Sequence, residues 1–173
     1  CLTGDDVSQG DHPQAKPVFD LDAVSLLRVA RHMRDRGAFL SGRKLDMPPD
    51  LFLGASMNPF VPPQRDRVAN LMLKVDAGAQ FIQTQCIYNL KKFEEWLGQA
   101  RNEGLTEKAH ILGGVTPFKS ARMAKYMKEQ VAGIDVPDEV LARMEGVPAS
   151  GQAAEGLRIA VETIQWLKDL PGV

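Results

Sequence analysis

The stretch "RDRVANLMLKVDAGAQFIQTQ", residues 65–85, changes its hydrophobic period partway along, and that change decides the fold. Val68, Leu71, Met72 and Val75 recur three and four residues apart, as on a helix that buries one face, and a glycine closes the pattern. From Gln80 to Thr84 the pattern becomes that of a strand. Upstream, Leu51 to Ala55 is a short apolar run bounded by the turn formers of "SMNPFVPP", which predicts a buried strand. Strand, helix and strand in this order make a βαβ unit, and parallel pairing follows.

The alternation continues outward. Residues 89–104 predict a helix with Leu90, Phe93, Leu97 and Ala100 inward and Gly104 as its stop. Residues 109–115 predict a strand, and residues 119–133 a helix from a Ser120 N-cap through Ala124, Met127 and Val131 to Gly133. Two helices follow, one with Pro137 at its first position and acids in its first turn, the other carrying Leu157, Val161, Ile164 and Leu167. Towards the N-terminus, residues 19–37 predict a helix capped by Asp20 or Asp22, with Leu27, Ala30 and Met33 at helical spacing. "CLTG" reads as the exit of a strand. A doubly wound sheet or a (β/α)8 barrel fits, but a whole barrel takes about 250 residues, and both ends of this chain read as cut.

A formal net charge of −1, with Lys and Arg scattered among Asp and Glu, leaves no electrostatic footprint for nucleic acid or an acidic membrane. No apolar run approaches the length of a membrane span, and no basic stretch leads into an apolar one, so a cytoplasmic location is expected. Cys1 and Cys86, far apart and without metal-ligand spacing, are expected to be free thiols.

Each strand exit carries polar or turn-forming residues: "TGDD", "SMNPF", "TQCIYN" and "GGVTPFKS". Parallel sheets bind ligands at their carboxyl ends, where loops converge on rigid strands. Capping of neighbouring helices is the competing reading for Asp5, Gln85 or Thr116 taken singly. Gln83 and Gln85 stand out, because an amide buried without a partner costs about 1–3 kcal/mol. If the strand alternates strictly and Ile82 packs outward, both glutamines point inside with Gln85 at the mouth. The three aspartates and His12 of "GDDVSQGDHP" lack the spacing of a metal loop and read as solvated. His32 and His110 are isolated. "LGGV" is a weak phosphate-binding candidate, the prolines of "NPFVPP" fix a loop, and the methionines fill the core.

The segments "LTGDD", "GDHPQAKPVFDLDAVSLL", "NLMLKVDAGAQFIQTQ", "GVTPFKSARMAKYMK" and "GIDVPDEVLARM", in this order, resemble the flavin-dependent methylenetetrahydrofolate reductase family, closest to its bacterial and archaeal one-carbon branch. The resemblance implies an incomplete (β/α)8 barrel over residues 1–173, from about the exit of strand 4 to the helices before strand 8, lacking the first strands and the last. It implies FAD as cofactor, reduced by a nicotinamide nucleotide or another electron donor, and hydride transfer to methylenetetrahydrofolate giving methyltetrahydrofolate. Asp5 matches the family's acid beside flavin and folate, where a carboxylate supports a cationic substrate. Gln85 matches the glutamine that pairs with the pterin through donor and acceptor. Thr3 and Gly4 match flavin contacts, and Asn70 and Lys74 positions reaching the adenosine and diphosphate end of FAD.

The chain departs from many members at Thr3, where they carry arginine, and at Arg67, where they carry aspartate. Ser56 and Phe60 stand where some members use histidine and aromatic residues. The family's catalytic glutamate belongs to strands the resemblance does not reach, so this chain alone is expected to be inactive, and FAD is expected of the complete barrel rather than of this chain. The alternative is a non-catalytic folate-binding or assembly module whose open sheet edge docks on a partner subunit or on a second copy. A related barrel binding folate or corrinoid without flavin is a third reading.

Overall fold

The computed structural model describes residues 1–4 and 7–173. Helix α1 (Ala23–Arg36) starts at Asp22, whose Oδ1 accepts from the Ser25 N–H at 2.6 Å. It stops at Gly37, whose left-handed φ of 59° lets its own N–H return to Met33 O.

Strand β1 runs Gly54–Met57, three residues later than the apolar run suggested. Pairing, not hydrophobicity, sets its start: Leu53 O accepts from the N–H groups of Gln80 and Phe81 at 2.7 and 3.3 Å, and the ladder begins after it. Leu51 and Phe52 fall before the ladder and are exposed, with the Phe52 ring stacked on Phe81 at 5.5 Å. Helix α2 (Gln64–Asp76), strand β2 (Phe81–Cys86), helix α3 (Leu90–Asn102) and strand β3 (His110–Gly114) follow, then helices α4 (Ala121–Gln130), α5 (Asp138–Glu145) and α6 (Gln152–Lys168).

Among the described residues the strands form one parallel sheet in the order β1-β2-β3, with Ala55, Ile82 and Ile111 in one row. The fold is α/β. That row is buried beneath the helices, in a core centred on Phe93, Trp96, Leu97 and Leu71. The next row, Ser56, Gln83 and Leu112, lies on the uncovered face. The Cys1 ammonium donates to Gly54 O at 2.6 Å, so the N-terminal segment meets the other edge of β1. Cys1 and Cys86 are free thiols. No helix among the described residues is long and apolar enough to cross a membrane.

Helix α4 ends at Gln130 rather than at Gly133, because Val131 is already extended at φ −98°, ψ 108°. Pro137 is the N-cap of α5, not its first helical residue. Helix α6 begins at Gln152 and packs through Gly156, Ile159, Ala160, Thr163 and Leu167. Of the four residues predicted to form its apolar stripe only Leu167 is buried; Leu157, Val161 and Ile164 are 57%, 43% and 46% exposed. Gly156 is the cause, since its lack of a side chain lets the helix settle on backbone with that face.

A second apolar cluster under α4 and α5 is built on Tyr88, Phe118, Ala124 and Met144. Ser120 caps α4 as the sequence suggested, its Oγ accepting from Met123 N–H at 3.1 Å. Ser120→Ala is expected to lower stability by about 1 kcal/mol, measured by urea unfolding with an unchanged m-value.

Candidate functional site

Gln85 lies inside β2, one residue before its end. Strict alternation does not place it, because the ladder slips: Gln83 pairs with Leu112 but Cys86 pairs with Gly114. One extra residue on β2 makes a bulge, a device that re-aims side chains at sheet ends. Thr84 anchors it, accepting from Gly114 N–H at 2.9 Å and donating to Gln85 O at 3.1 Å. Gly114 is required there, since a Cβ would stand 2.6 Å from Thr84 O. Counting places Gln83 on the uncovered face, and the bulge means that the direction of Gln85 does not follow from alternation alone.

The amide of Gln85 is half used. Its Oε1 accepts from the Cys86 N–H at 3.0 Å, while its Nε2 makes no hydrogen bond among the described residues. Gln85 therefore keeps its Nε2 donors and the second lone pair of Oε1 for a further partner. Gln83 is exposed, with only long contacts to Thr84 O and Leu112 O at 3.4 and 3.5 Å.

The exits of β2 and β3 are tied into one rim. Cys86 Sγ meets Thr116 Oγ1 at 3.1 Å, and Tyr88 Oη donates to Thr116 O at 2.9 Å. Burial, then the neighbouring Cys86, pushes the Tyr88 hydroxyl well above its ordinary value, so it stays protonated and remains a donor. Its ring stacks on Phe118 at 4.3 Å. Nearby, Asn89 Nδ2 and Lys92 Nζ both reach the Asp135 carboxylate, and Asn58 Nδ2 donates to Gly133 O at 2.9 Å. These contacts lock the loops after β1 and α4 against α3. Their signal in sequence was no more than an asparagine before a helix.

Helix α2 presents Arg67, Asn70 and Lys74 along one stripe. Lys74 Nζ donates to Ser56 O at 2.7 Å, and Ser56 pairs with Gln83, so this ammonium ends one strand away from the β2 exit. Burial, and secondarily the charge of Arg67, lowers the Lys74 pKa from its ordinary value. Arg67 Nε is buried and has no hydrogen-bond partner.

Thr3 and Gly4 are exposed, and a Cβ on Gly4 would meet nothing within 4 Å. Asp5 lies outside the described residues, so its position relative to Gln85 is not part of this geometry. Among the described residues no group of His, Cys, Asp and Glu could hold a metal ion. What the arrangement offers chemically is a hydrogen-bond donor at the β2 exit and, one strand over, two cations and an amide on α2.

A family model described as methylenetetrahydrofolate reductase matches residues 1–170. A relative from Caenorhabditis elegans, named probable methylenetetrahydrofolate reductase (NADPH), is 25% identical over 164 residues. That match covers 93% of this chain and 23% of the relative, so the chain spans under a quarter of that protein's length. An uncharacterized protein from Clostridium thermocellum, whose structure is described as binding two copies of 5-methyl-5,6,7,8-tetrahydrofolic acid, is 19% identical with a TM-score of 0.49. The likeness covers 90% of this chain and 56% of that one.

Proposed function

This chain belongs to the methylenetetrahydrofolate reductase family, and from that premise we propose that it is a portion of a flavoenzyme making 5-methyltetrahydrofolate from 5,10-methylenetetrahydrofolate. In this reading residues 1–173 are part of the second half of a (β/α)8 barrel, and a reduced nicotinamide or another donor supplies electrons. Bound FAD would supply the hydride; the chain binds and orients. The observation that carries the reading is the family match over residues 1–170, and the unspent Nε2 of Gln85 at a strand exit agrees with it.

The residues present fit a flavin nucleotide. Lys74 has no carboxylate against it among the described residues and suits an anionic group. Gln85 would hold the folate ring by donating from Nε2, Asn70 and Lys74 would face the diphosphate end of FAD, and Thr3 and Gly4 would line the flavin. Asp5 would stand beside the reacting carbon and favour the cationic form of the substrate. The uncovered sheet face supports the further expectation that these residues alone do not turn over, because hydride transfer needs the ring clamped in one geometry.

The test is a titration of the purified chain with FAD and then 5-methyltetrahydrofolate, followed by visible spectrum and calorimetry. Folate binding is expected, and Gln85→Ala should weaken it about tenfold, the worth of one hydrogen bond. Absence of folate binding overturns the substrate reading. Folate-dependent reoxidation of reduced flavin by this chain overturns the expected inactivity.

A second reading, a non-catalytic module docking on a partner chain, is favoured by the uncovered Ser56, Gln83 and Leu112 row and by the exposed Leu157, Val161 and Ile164 of α6. β3 is the last strand of the described sheet, and an edge strand can pair with another chain. Light scattering showing a lone monomer, unchanged by candidate partners, would count against it.

A further inference from the structure

Helix α4 bridges the exits of the strands. It starts shortly after β3 ends, and Met127 Sδ in its middle accepts from Tyr88 Oη, just past the β2 exit, at 3.7 Å. The loop after it reaches Asn58, just past β1, through Gly133 O at 2.9 Å. An open cavity of about 440 Å³ lies along this helix, lined by Ser120, Arg122, Met123 and Tyr126, a volume within the range of small-molecule sites. Met123 packs against the cluster of Tyr88 and Phe118, as Cys86 does. The cavity therefore adjoins the rim on which Gln85 stands.

Its wall combines a free cation with an exposed ring. Arg122 is exposed and makes no hydrogen bond or ion pair among the described residues. Tyr126, one helical turn on, is 60% exposed. Lys119, just before the Ser120 cap, is exposed and its ammonium is likewise unpaired among the described residues. Other cavities that hold cations hold carboxylates with them: Asp35 and Asp76 beside Arg28 and Arg31, and Asp135 beside Lys92. Among the described residues no carboxylate lines this one. A guanidinium takes a carboxylate through two parallel hydrogen bonds, while tyrosine and thioether side chains pack on an aromatic ring. An aromatic ring bearing carboxylates a few bonds away matches both halves of the wall, and folate has that group at the end away from its pterin, as a benzoyl ring amide-linked to glutamate.

We propose that α4 holds the benzoylglutamate half of the folate, with Tyr126 and Met123 against the ring, Arg122 on a glutamate carboxylate and Lys119 adding positive charge at the entrance. This deepens the folate reading and rests on it for the identity of the ligand; the cavity and its unpaired cation stand without it. Arg122 and Tyr126 are then binding residues that touch no reacting atom. What they contribute is position, because attachment of the far half of a substrate fixes where its pterin lies.

The experiment uses two probes on the whole chain: 5-methyltetrahydrofolate, and p-aminobenzoyl-L-glutamate, which has the tail without the pterin. By calorimetry, Arg122→Gln and Tyr126→Ala are each expected to weaken 5-methyltetrahydrofolate about tenfold, whereas Tyr126→Phe binds it as the parent does. Added salt should weaken the parent's binding and affect Arg122→Gln much less. In the parent, p-aminobenzoyl-L-glutamate at millimolar concentration should move the Arg122 Nε–H resonance, a readout that needs no variant to fold. Folate binding indifferent to both Arg122→Gln and Tyr126→Ala overturns this inference and leaves the folate reading standing, and so does an Arg122 signal that p-aminobenzoyl-L-glutamate leaves fixed. A parent that seats p-aminobenzoyl-L-glutamate on Arg122 yet fails to bind 5-methyltetrahydrofolate supports the cavity's ligand class and sinks the folate reading instead.

Discussion

Gly156→Ala is expected to destabilise the chain by about 2–3 kcal/mol, against the usual direction of that exchange in a helix. Inside α6 an alanine would ordinarily gain about 1 kcal/mol over glycine, because it restricts the unfolded backbone and leaves less of the helix exposed. Here a Cβ would stand 1.9 Å from Phe118 O, 2.8 Å from its carbonyl carbon and 3.0 Å from its nitrogen. All three are backbone atoms, so no rotamer change relieves the clash. Phe118 is itself held between Tyr88 and the second core, and its loop carries Thr116, the partner of Cys86 and Tyr88 at the rim. Moving α6 away would uncover Ile159 and Leu167; moving the loop would loosen the β3 exit. Urea unfolding of Gly156→Ala should show a lower midpoint, and a midpoint equal to or above the parent's would contradict this packing.

Phe93→Ala should cost more, about 3–5 kcal/mol. Phe93 is fully buried in α3, with Trp96 at 5.6 Å and the edge of Trp166 at 6.3 Å between ring centres. Those partners come from α3 itself and from α6, and the cluster beneath them includes Ile82 of β2 and Ile111 of β3. An alanine there loses the transfer energy of the ring and leaves a cavity that rigid aromatic neighbours fill poorly. The loss is a large share of the roughly 5–15 kcal/mol that holds a domain together, so the variant should be largely unfolded at moderate temperature. Phe93→Leu keeps most of the volume and should lose about 1 kcal/mol. Circular dichroism melting of the two variants distinguishes them, and equal melting of Phe93→Ala and the parent would refute the central place given to this ring.

Much of the architecture was legible because local pattern and tertiary fold agree. The period change at Gln80, the Ser120 cap and the glycine after α1 each signal an element boundary through short-range physics. The misses have a common cause in long-range pairing. Leu51 and Phe52 are apolar enough for a strand, yet the register with Gln80 and Phe81 starts β1 at Gly54. The bulge at Thr84 and Gln85 depends on Gly114, thirty residues away in the chain, and counting along β2 alone could not reveal it. The α6 stripe failed because a glycine in contact with Phe118 backbone outweighed the larger residues around it. At the candidate site the type of Gln85 was readable, but not that its oxygen accepts one bond from Cys86 N–H. Arg67 was visible only as a residue differing from the resemblance. That its Nε is buried and unpaired shows only in the structure.

The most direct measurement is a pair of nitrogen-edited NMR titrations on the labelled chain, first with FAD and then with 5-methyltetrahydrofolate added to it. A ligand seated across the exits of β1 and β2 should move the Asn70 side-chain amide signal in the first step and the Gln85 side-chain amide in the second. Both signals staying fixed at saturating ligand would contradict a shared binding rim on this sheet.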